Sequence, residues 1–123
     1  MQNRPSAKEL RGKVCAAINA VQEGLYQFPI TKHLSSDLDA LQIGSEDELM
    51  DLVLSLLNDI LKQSPDDCYR GGHPPQRSYE QVILNQELWA FVCFSTVLNK
   101  YIYLKFVLKK DVYFYVDCHE DRP

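Results

Sequence analysis

Apolar residues recur at helical spacing through the first half of the chain and alternate through its last third. Leu10, Val14, Ala17, Ile18 and Val21 stand three and four positions apart, which gathers their side chains on one helix face. Ser6-Ala-Lys-Glu9 just before them has capping-box spacing: the serine oxygen accepts from an N-terminal amide and the glutamate reaches back. These residues predict a helix over 6–23, ended by Gly24 and Pro29. Ser35 or Ser36 is expected to start a short second helix through Leu38 and Leu41, with Gly44 as its stop. Ser45-Glu-Asp-Glu48 is another capping box and puts three acids where a helix dipole favours them. Leu49, Leu52, Val53, Leu56, Leu57, Ile60 and Leu61 follow as a wide stripe suited to lying across a sheet, and Pro65 closes this third helix.

From Tyr69 to Gln86 the pattern stops. The stretch Tyr-Arg-Gly-Gly-His-Pro-Pro-Gln-Arg-Ser-Tyr-Glu has two glycines, two prolines and no apolar period. A loop of this length inside one domain is either a surface connection or a functional segment. Three strands then follow. Residues 88–95 are apolar on both sides, as in an interior strand. Residues 101–109 alternate, with Ile102, Leu104, Phe106 and Leu108 against Tyr101, Tyr103, Lys105 and Lys109. Residues 111–118 do the same, with Val112, Phe114 and Val116 against Tyr113, Tyr115 and Asp117. Short links predict an antiparallel meander. Helices first and strands second make this an α+β chain, one domain over 1–123, with about three helices on one face of the sheet.

Composition adds limits. Of 123 residues, 46% are hydrophobic and 24% charged, ordinary globular usage that excludes disordered and collagen-like architectures. The longest apolar run, Leu52-Val-Leu-Ser-Leu-Leu57, is far short of the roughly 20 residues of a membrane span. Charge falls where a signal peptide needs its apolar core. A soluble cytoplasmic protein with no membrane contact is expected. The net charge of −4 argues against a generic nucleic-acid coat, but it is unevenly spread: residues 1–67 carry six Lys/Arg and eleven Asp/Glu, residues 68–123 seven and six. An anionic ligand is therefore expected on the C-terminal part. Cys15, Cys68, Cys93 and Cys118 form no close pair, so neither a metal nor any other cofactor is called for.

If helices cover the side bearing Ile102, Leu104, Phe106, Val112, Phe114 and Val116, the opposite side stays open. It would display Tyr101, Tyr103, Lys105, Lys109, Tyr113 and Tyr115, bordered by Trp89 or Phe91. Rings interleaved with lysines suit single-stranded nucleic acid, since bases stack on the rings and amines meet phosphates. Cross-strand tyrosines also stabilise sheets by themselves. Tyr69, Arg70, His73 and Arg77 form a second candidate group around Gly71-Gly72: guanidinium groups grip phosphate and imidazole titrates near neutrality. Arg70 has an alternative use as a partner of Asp66 or Asp67. His119 ends the last strand.

Three short motifs carry a family resemblance. Ser64-Pro-Asp-Asp-Cys-Tyr-Arg70 resembles the segment ending in Asp-Phe-Tyr-Lys of the motility quorum-sensing regulator (MqsR) toxins. Tyr103-Leu-Lys-Phe106 resembles their Tyr-Leu-Lys strand, and Val116-Asp-Cys-His-Glu120 their terminal Val-Ser-Phe-Lys/His-Glu. The resemblance spans about residues 36–120, and it implies a RelE-like fold, cleavage of messenger RNA without metal, and a cognate antitoxin as partner. It places the family's functional lysine on Arg70, its strand tyrosine on Tyr103 and its terminal Lys/His on His119, the three expected catalytic positions. Arginine does not readily lose its proton, so Arg70 would stabilise charge. The family's Trp-Gln-Asp-Val-Tyr strand has no counterpart in Leu88-Trp-Ala-Phe-Val. The alternative function is a non-catalytic binding or inhibitor protein whose aromatic sheet face is a protein interface.

Overall fold

A computed structural model describes residues 4–121. Helix α1 spans Ala7–Gln22, and the Ser6 hydroxyl accepts from Glu9 N–H at 3.0 Å, as the capping spacing predicts. Gly24, at φ +74°, turns the chain out of α1. There Leu25 N–H reaches back to Ala20 O and Gly24 N–H to Val21 O, the paired bonds of a glycine-terminated helix. Helix α2 spans Thr31–Leu41 and starts four residues before the predicted serines. Those serines are exposed; burial of Leu34 and Asp37 against the sheet sets the helix instead. It ends at Gln42 in the left-handed region, two residues before Gly44. Helix α3, Glu46–Gln63, is capped by Ser45 as expected, and Pro65 opens a further short helix, α4, Pro65–Cys68.

The sheet has four strands in the order β1-β4-β3-β2, with β1 Tyr26–Gln27, β2 Trp89–Ser95, β3 Lys100–Lys109 and β4 Val112–Glu120. The predicted meander of β2, β3 and β4 is antiparallel throughout; β1 adds a parallel edge beside β4. Two residues are too few to carry any alternation, which is why β1 leaves no sequence pattern. Helices α1 and α3 cover the face of Trp89, Phe91, Cys93, Ile102, Leu104 and Phe106 in one core cluster. Trp89 and Phe91 thus lie inside and do not border an open face.

From Val112 to Val116 the faces of β4 are opposite to those predicted, while Asp117 keeps the predicted side with Lys105. Lys105 pairs with Asp117 and Phe106 with Tyr115, so Val116 is an extra residue on β4 and forms a bulge. Paired residues share a face, which sends Tyr115 and Tyr113 with Phe106 into the helical core, both fully buried. Phe114 and Val116 emerge on the other face, where Ile83, Leu88 and Ile30 cover them together with Val107. Both sides at this end of the sheet are buried, so hydrophobicity alone could not distinguish them. Tyr113 and Tyr115 are accordingly not ligand contacts.

Helix α2 runs along the edge of β4 beyond β1. Asp37, buried at its centre, accepts from the Tyr115 hydroxyl at 2.6 Å and from Cys118 N–H at 2.9 Å, which satisfies an edge amide that would otherwise invite another strand. Burial pushes the Asp37 carboxyl above its ordinary value of 3.8, against the two hydrogen bonds that pull it down. A carboxyl raised in the folded state stabilises the fold when protonated. That contribution is complete below the unfolded value and lost as pH rises through the folded one. Asp37→Asn is expected to remove this dependence: as pH falls from neutral towards 4, the wild type should gain unfolding free energy relative to the variant. Parallel urea titrations of the two would show it, and curves that keep a constant separation would refute it.

Candidate functional site

The open part of the far sheet face is small and chemically dense. Tyr103 and His119 are cross-strand partners on β3 and β4, and their rings stack at 5.1 Å with planes 20° apart. Lys105 Nζ lies 5.8 Å from the Tyr103 ring centroid and 3.8 Å from Asp117 Oδ2. Across the strand from Tyr103 on the other side, the chain of 69–72 joins the sheet: Tyr69 bridges to Phe91, and Arg70 N–H donates to Ala90 O at 2.8 Å. Arg70, Gly71, Gly72, Gln76, Tyr103 and Lys105 thereby line one cleft of about 210 Å³. Two cations and a phenol converge there, and the His119 ring stacks on that phenol from outside the lining.

The turn that builds this cleft is held by Tyr69. Its ring packs edge-on to Phe91 at 5.8 Å, and its hydroxyl donates to Gly72 O at 2.6 Å. A Cβ on Gly71 would lie 2.5 Å from the Tyr69 hydroxyl oxygen, and one on Gly72 would lie 2.6 Å from Pro74 O. Both positions therefore require glycine, for close packing and not to cradle a phosphate. Tyr69 is buried, and burial raises its hydroxyl pKa. It is a post under the site, not a ligand contact. Arg70 is exposed and donates to the backbone oxygens of Asp67 at 2.7 Å and Tyr69 at 3.0 Å. The Asp66 carboxylate pairs with Arg4 instead.

The remaining candidates spread out. His73 stacks on Tyr69 at 6.1 Å and does not line the cleft. Arg77 lies further along the loop and donates to Asn85 O at 2.7 Å. Lys109 donates to Val82 O at 3.1 Å, tied to the loop. Tyr101 is exposed at the far end of β3, edge-on to Phe94 at 5.2 Å.

His33, in the first turn of α2, had no sequence signal pointing to it. Its Nδ1 lies 3.0 Å from Val116 O and 3.1 Å from Asp117 Oδ1. A carbonyl only accepts, so Nδ1 carries a proton and donates, which leaves Nε2 as the ring nitrogen not used by these contacts. Asp117 thus joins His33 to Lys105. His119 is set the same way, its Nδ1 donating to Glu120 O at 3.2 Å. The bulge at Val116 is what puts Asp117 on this face while Tyr115 lies on the opposite one. Three cysteines are excluded from such chemistry by burial, which pushes the Cys68 and Cys118 thiols up and Cys93 to about 12.

No family model, curated protein or solved structure matches this chain. Among the described residues, no group of three or more His, Cys, Asp or Glu side chains is arranged to hold a metal ion, and no helix is long and apolar enough to cross a membrane.

Proposed function

We propose that this chain is an endoribonuclease that cleaves messenger RNA by attack of a 2′-hydroxyl on the adjacent phosphorus, a cytoplasmic toxin of the MqsR-like, RelE-like kind held in check by an antitoxin protein. The observation that carries the reading is the convergence of Arg70, Tyr103 and Lys105 on one cleft, with His119 stacked against Tyr103. Arg70, Tyr103 and His119 are the positions that the motif resemblance also selects.

The chemistry follows from side-chain types. Attack by the 2′-hydroxyl builds negative charge on the phosphoryl oxygens, and preorganised cations are the strongest single aid to such a transition state. Arg70 offers two parallel N–H groups and Lys105 a point charge. Histidines with a free Nε2 can take the 2′-hydroxyl proton, while Tyr103 is the nearest hydroxyl able to hand one to the leaving oxygen. No metal enters this scheme.

The test is incubation of the purified protein with a single-stranded RNA in excess EDTA. Cleavage should leave a 2′,3′-cyclic phosphate and a 5′-hydroxyl, and a 2′-deoxy substitution at the scissile nucleotide should block it. Arg70→Ala and Tyr103→Phe should each slow it by on the order of 10²-fold. An uncut RNA, or rates indifferent to both substitutions, would remove the reading.

A further inference from the structure

The cleft at Arg70 does not stop at the loop. Gln76 and Leu88 line it and also line a second, larger cleft of about 480 Å³. Its floor is apolar, made by Ile30, Leu88 and Val116, and Tyr79 stands at its rim. Tyr79 keeps 93% of its surface in water, and among the described residues no ring or hydrogen-bonding group pairs with it. Yet its backbone is not loose. Ser78 N–H donates to Gln86 O and Asn85 N–H to Ser78 O, both at 2.9 Å, while the Ser78 hydroxyl accepts from Glu80 N–H at 3.1 Å. An aromatic ring displayed on a pinned turn is presented for contact, since it contributes nothing to the core.

We propose that this second cleft is a nucleobase subsite, taking the base of a nucleotide next to the one held at Arg70 and Lys105, with Tyr79 as the stacking surface. The inference rests on the polynucleotide reading of the first cleft. The shared wall of Gln76 and Leu88 gives a strand a continuous path between the two. Arg77, at the same rim, uses one guanidinium donor on Asn85 O and keeps the rest for the phosphate between the nucleotides. Glu80, also at the rim, repels phosphate, so over an apolar floor the occupant is the base. Stacking accepts any base because each has a π face, so the subsite adds affinity without strict sequence choice.

Fluorescence anisotropy of a labelled eight-nucleotide single-stranded RNA, titrated with the full chain, tests this. Tyr79→Ala should weaken binding about tenfold and Tyr79→Phe hardly at all, as stacking energies of this kind imply. Arg77→Ala should reduce the slope of log affinity against log salt by about one phosphate contact. Equal binding by wild type and Tyr79→Ala, or no RNA binding by the wild type, overturns the proposal. The cleavage assay separates the two readings: RNA bound through Tyr79 but never cut leaves the subsite standing and the ribonuclease falls. RNA cut and bound with no dependence on Tyr79 does the reverse.

Discussion

Lys105→Ala is expected to slow RNA cleavage by about 10²- to 10³-fold, the usual loss when one preorganised charge-stabilising group is removed. Lys105 sits mid-strand on β3, so its direction is fixed by the sheet and not by a mobile loop. Its ammonium lies between the Tyr103 ring and Asp117, at 5.8 Å and 3.8 Å. A pair that far apart and partly exposed contributes little to stability. The fold should therefore survive the change, and thermal melting of the variant should track the wild type. Lys105→Arg keeps the charge but replaces a compact ammonium with a planar fork, so it should recover part of the rate. Rates measured with wild type and both variants on one RNA decide the matter. Near-normal cleavage by Lys105→Ala would mean that the phosphoryl group is held elsewhere.

How far the sequence could announce this site depended on how local each signal was. Helices α1 and α3 were legible because cap and apolar stripe lie within one element, at Ser6 and Ser45. The antiparallel order of β2, β3 and β4 followed from short links and alternation. Tyr103, Lys105 and Arg70 were found for the same reason: strand alternation and a glycine pair mark them without reference to distant residues. What escaped notice depends on pairing between elements. The bulge at Val116 exists only in the register of β4 on β3, and it sends Tyr113 and Tyr115 to the side opposite Asp117, with which plain alternation groups them. His33 becomes interesting only once α2 lies along β4 and brings its Nδ1 to Asp117. The long loop stands out by its composition, but its cover over Phe114 and Val116 leaves no mark in the sequence, because Ile83 stands in it without a period.

Phe91→Ala is expected to lower the unfolding free energy by about 3–5 kcal/mol, the cost of emptying a buried phenyl site. Phe91 is fully buried in an aromatic row: Tyr69 packs edge-on to it at 5.8 Å, and Phe106 stacks on it at 6.0 Å and then on Tyr113 at 5.0 Å. Small domains keep only about 5–15 kcal/mol in total, so this one change should remove a large share of it and lower the urea midpoint in proportion at an unchanged slope. The same ring supports the cleft. Tyr69 rests on Phe91, its hydroxyl holds Gly72, and the next residue, Arg70, is tied to Ala90 beside it. Phe91→Leu fills most of the space but gives Tyr69 no ring to pack against. It should fold, cost less stability than alanine, and still lose cleavage rate, because Arg70 then rides on a looser turn. A leucine variant with wild-type rate would separate the aromatic row from the site and leave Arg70 positioned by its hydrogen bonds to the Ala90, Asp67 and Tyr69 oxygens.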